Sequence, residues 1–138
     1  MENIINMQDM RHLNLFGKIT RVNTRFCFNY NQTLIFCVPR NLLSKAIGKG
    51  GQNIRQINEI LRKRIKVIST PEKIQDAENF IKSIIKPVTF KDFKIKDNEI
   101  ILTAGIQNKA ALIGRDKRRF LEMKNIVKNY FGKEFKIM

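Results

Sequence analysis

A sequence pattern that occurs twice constrains the fold of this chain more than any other feature does. The segment Ala46-Ile47-Gly48-Lys49 is matched later in the chain by Leu112-Ile113-Gly114-Arg115. The apolar-basic-apolar segment 65–67 is matched by 135–137, with an offset that is larger by about one helical turn. The second copy can therefore contain a longer helix between its two matching segments. The repeat predicts two related units within the 138 residues.

Apolar periodicity predicts the same order of elements, helix-strand-strand-helix-helix-strand, in both copies. In the first copy we predict helices over 8–19, over 41–47 and from Gln52 onward, and strands over 25–30, 33–38 and 65–68. In the second copy we predict helices over about 72–85, up to Ile113 and up to Gly132, and strands over roughly 88–95, 99–104 and 134–138. The segment Ser69-Thr70-Pro71-Glu72 is predicted to open the 72–85 helix with a capping hydroxyl and a proline. The predicted class is α+β, with helices covering a three-stranded sheet in each of two domains, 1–70 and 71–138.

The positive charge of the chain is concentrated around the two glycine-containing turns. The net charge is +15 and the pI is near 10.2. Residues 40–66 carry eight Lys and Arg against one acidic residue, and residues 109–138 carry nine against three. Residues 67–108, between these two blocks, are neutral overall. Charge that served only solubility would be spread more evenly, so the distribution favours two surfaces that face phosphates.

The segment Gly48-Lys49-Gly50-Gly51, between two predicted helices, has the composition of a turn that grips phosphate. Glycine permits a tight turn and close approach of another backbone. The helix that follows presents amide groups and a positive dipole end to an anion, and Lys49 and Arg55 add side-chain charge. The spacing, after a helix and not a strand, disfavours a P-loop and fits a GxxG clamp, which holds the backbone of a few nucleotides beside an apolar groove. Taken alone, the tetrapeptide is also compatible with a glycine helix cap and a flexible turn.

The sequence resembles the archaeal NusA-like transcription factors over nearly its whole length, from about Met10 to Met138. The resemblance rests on Leu15-Phe16, on the segment 46–54 and on Ala111-Leu-Ile-Gly-Arg115. It implies two tandem type II KH domains, binding of single-stranded RNA across both of them, and a role in transcription elongation or termination. Bacterial relatives carry an additional polymerase-binding N-terminal domain and an S1 domain. We expect neither here, so the resemblance does not by itself imply contact with RNA polymerase.

The residues predicted to contact RNA follow from the two matching motifs. They are Ile47, Gly48, Lys49, Gly50, Gly51, Gln52, Asn53, Ile54 and Arg55 in the first unit, and Ile113, Gly114, Arg115, Lys117 and Arg118 in the second. The second turn departs from the family pattern, because Lys117 replaces its last glycine and Asp116 brings a negative charge. We therefore expect the second unit to bind weakly alone and to extend the footprint of the first.

No group of residues in the sequence has the composition of a catalytic or metal centre. His12 has no nucleophile or carboxylate partner in view, and the two cysteines lack the CxxC spacing of a zinc site. We expect no enzymatic activity, no cofactor and no metal. Cys27 and Cys37 flank a predicted hairpin turn, so a cross-strand disulfide is geometrically conceivable, but in an unexported protein we expect free thiols. No stretch approaches about 18 apolar residues and the N-terminus lacks the features of a secretory signal, so we expect a cytoplasmic protein.

Three other functions remain open on the sequence alone. A KH-type protein of ribosome assembly or translation would carry the same residues, so ribosomal particles as well as RNA polymerase are candidate partners. KH units that serve as scaffolds for other proteins would not need a turn that binds RNA. Association with a membrane surface is disfavoured, because no exposed amphipathic helix with a large apolar face is predicted.

Overall fold

The computed structural model describes residues 7–138. The segment 1–6, which begins the first predicted domain and in which we expect no secretory signal, lies outside the described residues. The described chain forms two compact units, one ending at Thr70 and the other beginning at Pro71. Each unit has a three-stranded sheet and the predicted order of elements. The α+β class with two helix-covered sheets is therefore confirmed.

The first unit is built around a central strand that pairs with both of its neighbours. Its elements are α1 (Met7–Thr20), β1 (Phe26–Tyr30), β2 (Thr33–Val38), α2 (Leu43–Ile47), α3 (Gln52–Leu61) and β3 (Arg64–Ser69). Strand β2 pairs antiparallel with β1 and parallel with β3. Asn31 and Gln32 join β1 to β2 with positive φ values of 51° and 59°, which suits the twist of a two-residue hairpin.

The second unit repeats this topology with one longer helix. Its elements are α4 (Ala77–Ile85), β4 (Asp92–Lys96), β5 (Glu99–Thr103), α5 (Ile106–Ile113), α6 (Arg118–Phe131) and β6 (Glu134–Ile137). Strand β5 pairs antiparallel with β4 and parallel with β6. Helix α6 has 14 residues, whereas its counterpart α3 has 10. The extra turn lies in this helix, as the offset between the two repeated segments predicts.

The predicted opening of the 72–85 helix at Ser69-Thr70-Pro71-Glu72 is wrong. The Thr70 amide donates to the carbonyl of Val38 at 2.8 Å, so this residue continues the sheet. Its buried Oγ1 atom has no hydrogen-bond partner within residues 7–138 and therefore caps no helix. The first helical turn is Ile74–Asp76, and α4 follows it. The carboxylate of Asp76 accepts the amides of Glu72 and Lys73 at 2.9 and 3.3 Å.

The strand predicted over 88–95 begins later, at Asp92. The Val88 amide donates to the Ile85 carbonyl at 3.0 Å and forms a turn after α4. Pairing with β5 starts only where the Lys91 amide donates to the Thr103 carbonyl at 2.7 Å. Pro87 has no amide hydrogen with which to extend the ladder further back.

The core of the first unit holds the two helices that flank the glycine turn. Phe36 of the central strand is fully buried and stacks on Phe16 of α1, with ring centroids 4.3 Å apart and planes at 17°. Ala46 of α2 and Ile57 of α3 are also fully buried in this cluster. Each flanking helix thus contributes one fully buried residue to the core, which helps to fix the positions at which the turn must begin and end.

The strand register explains why Cys27 and Cys37 do not form a disulfide with each other. Cys27 pairs with Phe36, and Cys37 pairs with Phe26. Directly paired residues share a face of the sheet and sequence neighbours lie on opposite faces. The two sulfur atoms are therefore on opposite sides, and the prediction of free thiols is confirmed. Burial, with the nearby Asp9, raises the pKa of the Cys27 thiol to about 12, which makes it a poor nucleophile.

His12 provides a pH-dependent term in the stability of the first unit. Its side chain is buried, and its Nδ1 atom has no hydrogen-bond partner within residues 7–138. Burial and the charge of Lys63 lower the pKa of His12 below 6.5, against an opposing effect of Asp9. The unfolded chain therefore takes up the proton more readily than the folded chain does. The resulting stability is fully present above the unfolded pKa and is lost as the pH falls below about 6.5.

We expect the free energy of unfolding to fall between pH 7.5 and pH 5.5, and to fall less in His12→Gln, which cannot titrate there. Urea unfolding of both proteins at the two pH values measures this difference. The carboxylates are common to both proteins, so their titration cancels in the comparison. An equal pH dependence in His12→Gln would contradict the role given to this side chain.

Within the described part of the chain, no helix has both the length and the apolar character needed to cross a bilayer.

Candidate nucleic-acid interface

The first glycine turn reverses the chain between α2 and α3 through three residues with positive φ. Gly48 has φ 82° and ψ 165°, Gly50 has 62° and 21°, and Gly51 has 75° and 19°. The Gly48 amide donates to the Ser44 carbonyl at 3.0 Å and ends α2. Side chains make these backbone angles costly, which accounts for the three glycines.

The hydrogen bonds of the turn leave two amides unused at its apex. The Gly51 amide donates to the Gly48 carbonyl at 3.0 Å, and the Gln52 amide donates to the Lys49 carbonyl. The turn therefore closes without the amides of Lys49 and Gly50. The sequence suggested a ligand site spread over the whole turn and the helix start, and within the turn the structure leaves the amides of Lys49 and Gly50 available to a phosphate.

The apex is open to solvent. Lys49 and Gly50 are both exposed, and a Cβ atom built on Gly50 would meet nothing within 4 Å. A Cβ atom on Gly48, in contrast, would lie 2.9 Å from the side chain of Asn53. Gly48 is required because a Cβ atom would clash with Asn53 and because its φ is positive. At Gly50 the φ is also positive, but the space above the backbone is empty. An extended ligand can therefore pass directly over the apex.

Positive charge surrounds the first turn without neutralising partners. Lys45, Lys49 and Arg55 are exposed, and none of the ion pairs described for residues 7–138 involves them. The Nη1 atom of Arg55 donates to the carbonyl of Gly50. This contact braces the turn from the first part of α3 and places the guanidinium charge beside the apex.

The apolar residues beside the turn are shared between the core and the surface. Ile47 and Ile54 are half-buried and pack against the core cluster of the first unit. Each keeps part of its side chain accessible, so both could contact a base as well as the core. Gln52 is exposed. The Asn53 side chain points into the protein, where Nδ2 donates to the carbonyls of Lys45 and Ala46 at 3.1 and 3.2 Å.

The second turn has the backbone conformation of the first despite its different sequence. Gly114 has φ 74° and ψ 173°, Asp116 has 56° and 29°, and Lys117 has 61° and 21°. These angles closely follow those of Gly48, Gly50 and Gly51. The Lys117 amide also donates to the Gly114 carbonyl, at 3.2 Å. The second turn therefore forms without glycine at its fourth position, although each non-glycine residue in the left-handed region costs about 1–2 kcal/mol.

The second turn differs from the first in what covers its apex. The side chains of Arg115, Asp116, Lys117 and Arg118 are all exposed, and those at positions 116 and 117 stand where the first turn has bare glycine. Leu121, the counterpart of Arg55, is half-exposed and cannot donate to the turn. The second surface is strongly basic, but it carries side chains at the positions of two glycines of the first turn and lacks the Arg55 brace.

The structure brings the predicted residues together as two separate helix-turn-helix segments. Ile47 to Arg55 lie along α2, the turn and α3, and Ile113 to Arg118 lie along α5, its turn and α6. Arg119 was not among the predicted site residues, yet its Nη1 atom donates to the Ala111 carbonyl at 2.9 Å, directly behind the second turn. The offset that relates Gly48 to Gly114 also pairs Asn53 with Arg119, and this is the sequence signal that could have found it.

Comparisons with known proteins agree with this fold. A family model described as the NusA-like second KH domain matches residues 17–75. The crystal structure of APE1850 aligns with a TM-score of 0.68 at 24% identity, covering 97% of this chain and all of that one, which shows a shared fold.

Three archaeal relatives carry the description "probable transcription termination protein NusA". The protein of Methanococcus vannielii is 30% identical over 92 residues, which are 67% of this chain and 51% of that protein. The protein of Halococcus morrhuae is 27% identical over 78% of this chain and 77% of its own length. The protein of Thermoplasma acidophilum is 23% identical over 93% and 90%, respectively. The chain thus spans about half of the Methanococcus vannielii protein and most of the other two.

The family model covers the first glycine turn, and the relatives together extend the similarity over nearly all of the chain. Both units also share the element order and turn conformation described above. The chain is therefore similar in sequence to the archaeal NusA-like KH proteins.

Proposed function

We propose that this protein binds single-stranded RNA and acts in transcription elongation or termination in the cytoplasm. The observation that carries the proposal is the open apex of the first turn, where two unused amides lie among exposed cations that no described ion pair neutralises. The relatives described as probable transcription termination proteins support the transcriptional role.

In the proposed complex, the first turn holds the sugar-phosphate backbone. A phosphate oxygen accepts hydrogen bonds from the amides of Lys49 and Gly50, and the charges of Lys49 and Arg55 stabilise the anion. Bases lie over the accessible parts of Ile47 and Ile54. Because these contacts involve the backbone and the faces of bases, they favour an unpaired strand and confer little sequence preference.

In this proposal, residues 1–70 form a first KH domain and residues 71–138 form a second. The second turn contributes Gly114, Arg115, Lys117 and Arg118 as a weaker, mainly electrostatic extension of the same footprint. Its side chains at 116 and 117 keep a ligand away from the backbone amides, and the Asp116 carboxylate repels phosphate. Ile113, half-buried at the end of α5, takes the place of Ile47.

Binding to matched single-stranded and duplex RNA over a series of salt concentrations tests the proposal. We expect preference for the single strand and a logarithmic slope near −0.7 for each phosphate neutralised. A duplex of the same sequence provides the control for general attraction to polyanions. Equal affinity for the duplex, or for dextran sulfate at matched charge, would contradict specific recognition of an unpaired strand.

The transcriptional role implies association with transcribing RNA polymerase, through nascent RNA or directly. Affinity purification of the tagged full chain, with and without RNase, separates the two routes. Recovery of polymerase is the expected result, and loss of polymerase after RNase would assign the link to RNA. Recovery of ribosomal particles in place of polymerase would favour the translational alternative.

A further inference from the structure

Asn53 and Arg119 occupy equivalent positions in the two units and make equivalent contacts. The offset between them is the one that relates Gly48 to Gly114. Asn53 Nδ2 donates to the Lys45 carbonyl at 3.1 Å, and Arg119 Nη1 donates to the Ala111 carbonyl at 2.9 Å. Lys45 and Ala111 are related by the same offset. Two chemically different side chains therefore engage the same carbonyl position at the end of the preceding helix.

These carbonyls belong to a class of groups that require a partner. The last four carbonyls of an α-helix accept no hydrogen bond from within the helix. In α2, the Gly48 amide satisfies only the Ser44 carbonyl, and Asn53 satisfies those of Lys45 and Ala46. In α5, the Gly114 amide satisfies the Ala110 carbonyl at 2.9 Å, and Arg119 satisfies the next one.

Both side chains also lie across the first glycine of their turn. A Cβ atom on Gly48 would be 2.9 Å from Asn53 Cγ, and one on Gly114 would be 2.9 Å from Arg119 Cγ. Each side chain thus fills the space behind the turn while its polar end holds the preceding helix. Asn53 and Arg119 are half-buried in these positions, whereas the apex residues Lys49 and Gly50, at which a phosphate is proposed to bind, are exposed.

We propose that Asn53 and Arg119 are positioning residues, which tie the two helices of each unit together across the turn and do not contact RNA. The proposal moves Asn53 out of the set of predicted RNA ligands. It also separates Arg119, which is half-buried, from its exposed neighbours Arg115, Lys117 and Arg118. The RNA arm of the test rests on the proposed function, whereas the turn conformation can be measured without RNA.

The tie is more important in the second turn than in the first. The first turn has a second brace, from Arg55 to the Gly50 carbonyl, and glycine at its left-handed positions. The second turn has Leu121 in place of that brace, and it holds Asp116 and Lys117 in the left-handed region. Loss of Arg119 should therefore loosen the second turn more than loss of Asn53 loosens the first.

The test uses four variants of the full chain. Asn53→Leu and Arg119→Leu remove the tie, Arg119→Asn restores the amide found in the first unit while removing the charge, and Arg118→Asn is the matched control next to it. Amide hydrogen exchange of Gly51 and Lys117, whose N–H groups close the two turns, reports the conformation directly. RNA affinity over a salt series reports the number of phosphates contacted.

We expect about tenfold faster exchange of the Lys117 amide in Arg119→Leu, the effect of losing one net hydrogen bond, and a smaller acceleration of the Gly51 amide in Asn53→Leu. Arg119→Asn should retain slow exchange and an unchanged salt slope, and Arg118→Asn should retain slow exchange. Exchange in Arg119→Asn as fast as in Arg119→Leu would overturn the proposal. A salt slope that is weaker by about 0.7 in Arg119→Asn would identify a phosphate ligand instead. If neither the parent chain nor any variant binds RNA but the exchange results hold, the proposed function fails and the positioning role stands.

Discussion

Replacing both Lys49 and Gly50 by aspartate should lower the affinity for single-stranded RNA by about 100-fold. The change removes the cation at the apex and places two carboxylates where phosphate oxygens are proposed to lie. Loss of two charge-assisted hydrogen bonds, at roughly 1.5 kcal/mol each, gives an effect of this size. Fluorescence anisotropy with a labelled oligonucleotide measures the affinity of the full chain.

The same double variant should remain folded. A Cβ atom on Gly50 meets nothing within 4 Å, and the equivalent residue of the second turn, Asp116, already adopts φ 56°. The cost of an aspartate there is about 1 kcal/mol. Circular dichroism and urea unfolding should therefore be close to those of the parent chain.

The matched control is Lys96→Asp with Asn98→Asp, which changes the net charge equally at another exposed turn. The hairpin between β4 and β5 carries these residues, and both side chains are exposed. We expect no more than about a threefold loss of affinity from this pair, the effect of the charge change alone. Equal losses in both double variants would mean that the net charge, and not the first turn, determines binding.

A single substitution at equivalent positions compares the two turns. Lys49→Asp and Arg115→Asp each change the charge by two, and both residues follow the first glycine of their turn. The accessible backbone of the first turn leads us to expect the larger loss for Lys49→Asp. Equal losses would show that both turns contribute alike.

Phe36→Ala should destabilise the first unit by about 3–5 kcal/mol, the usual cost of removing a fully buried aromatic side chain. Phe36 has no exposed surface and stacks on Phe16. Its removal therefore takes away these apolar contacts and leaves a cavity in the core. Because a small domain is stable by only about 5–15 kcal/mol in total, the unit should be largely unfolded in mild denaturant. Urea unfolding followed by circular dichroism measures the change.

The consequence for binding follows from the position of Phe36 in the core cluster. The cluster includes Ala46 of α2 and Ile57 of α3, which anchor the two helices that flank the turn. RNA affinity should therefore fall together with stability. The control is Ile106→Ala, since this side chain is 91% exposed and its removal should change stability by less than about 0.5 kcal/mol. Similar effects of the two substitutions would contradict the assigned core.

The sequence was sufficient to predict the topology because apolar periodicity and the repeat act locally and agree with each other. The first turn could also be predicted from its glycines, since left-handed backbone angles favour glycine strongly. The helix opening at Thr70 was predicted wrongly because this residue extends the sheet by its amide bond to Val38, at the end of β2 and distant in the sequence, and its hydroxyl reaches no helix amide within residues 7–138. Local capping preferences cannot anticipate such a tertiary partner.

The details of the candidate site depend on side-chain directions that the sequence does not encode locally. From the sequence, Asn53 is predicted to be a polar ligand on the surface. In the structure, its side-chain amide donates to two carbonyls at the end of α2. Lys117 adopts a conformation that its residue type disfavours, because the flanking helices and the Arg119 tie determine the shape of the turn. The two unused amides at the apex became identifiable only when the bonds that close the turn were known.

The most direct test of the account is a titration of the isotope-labelled full chain with single-stranded RNA, followed through the backbone amide resonances. We expect the largest changes at the amides of Lys49 and Gly50, with smaller changes around the second turn. Unchanged resonances at these two amides, together with large changes elsewhere in the chain, would contradict it.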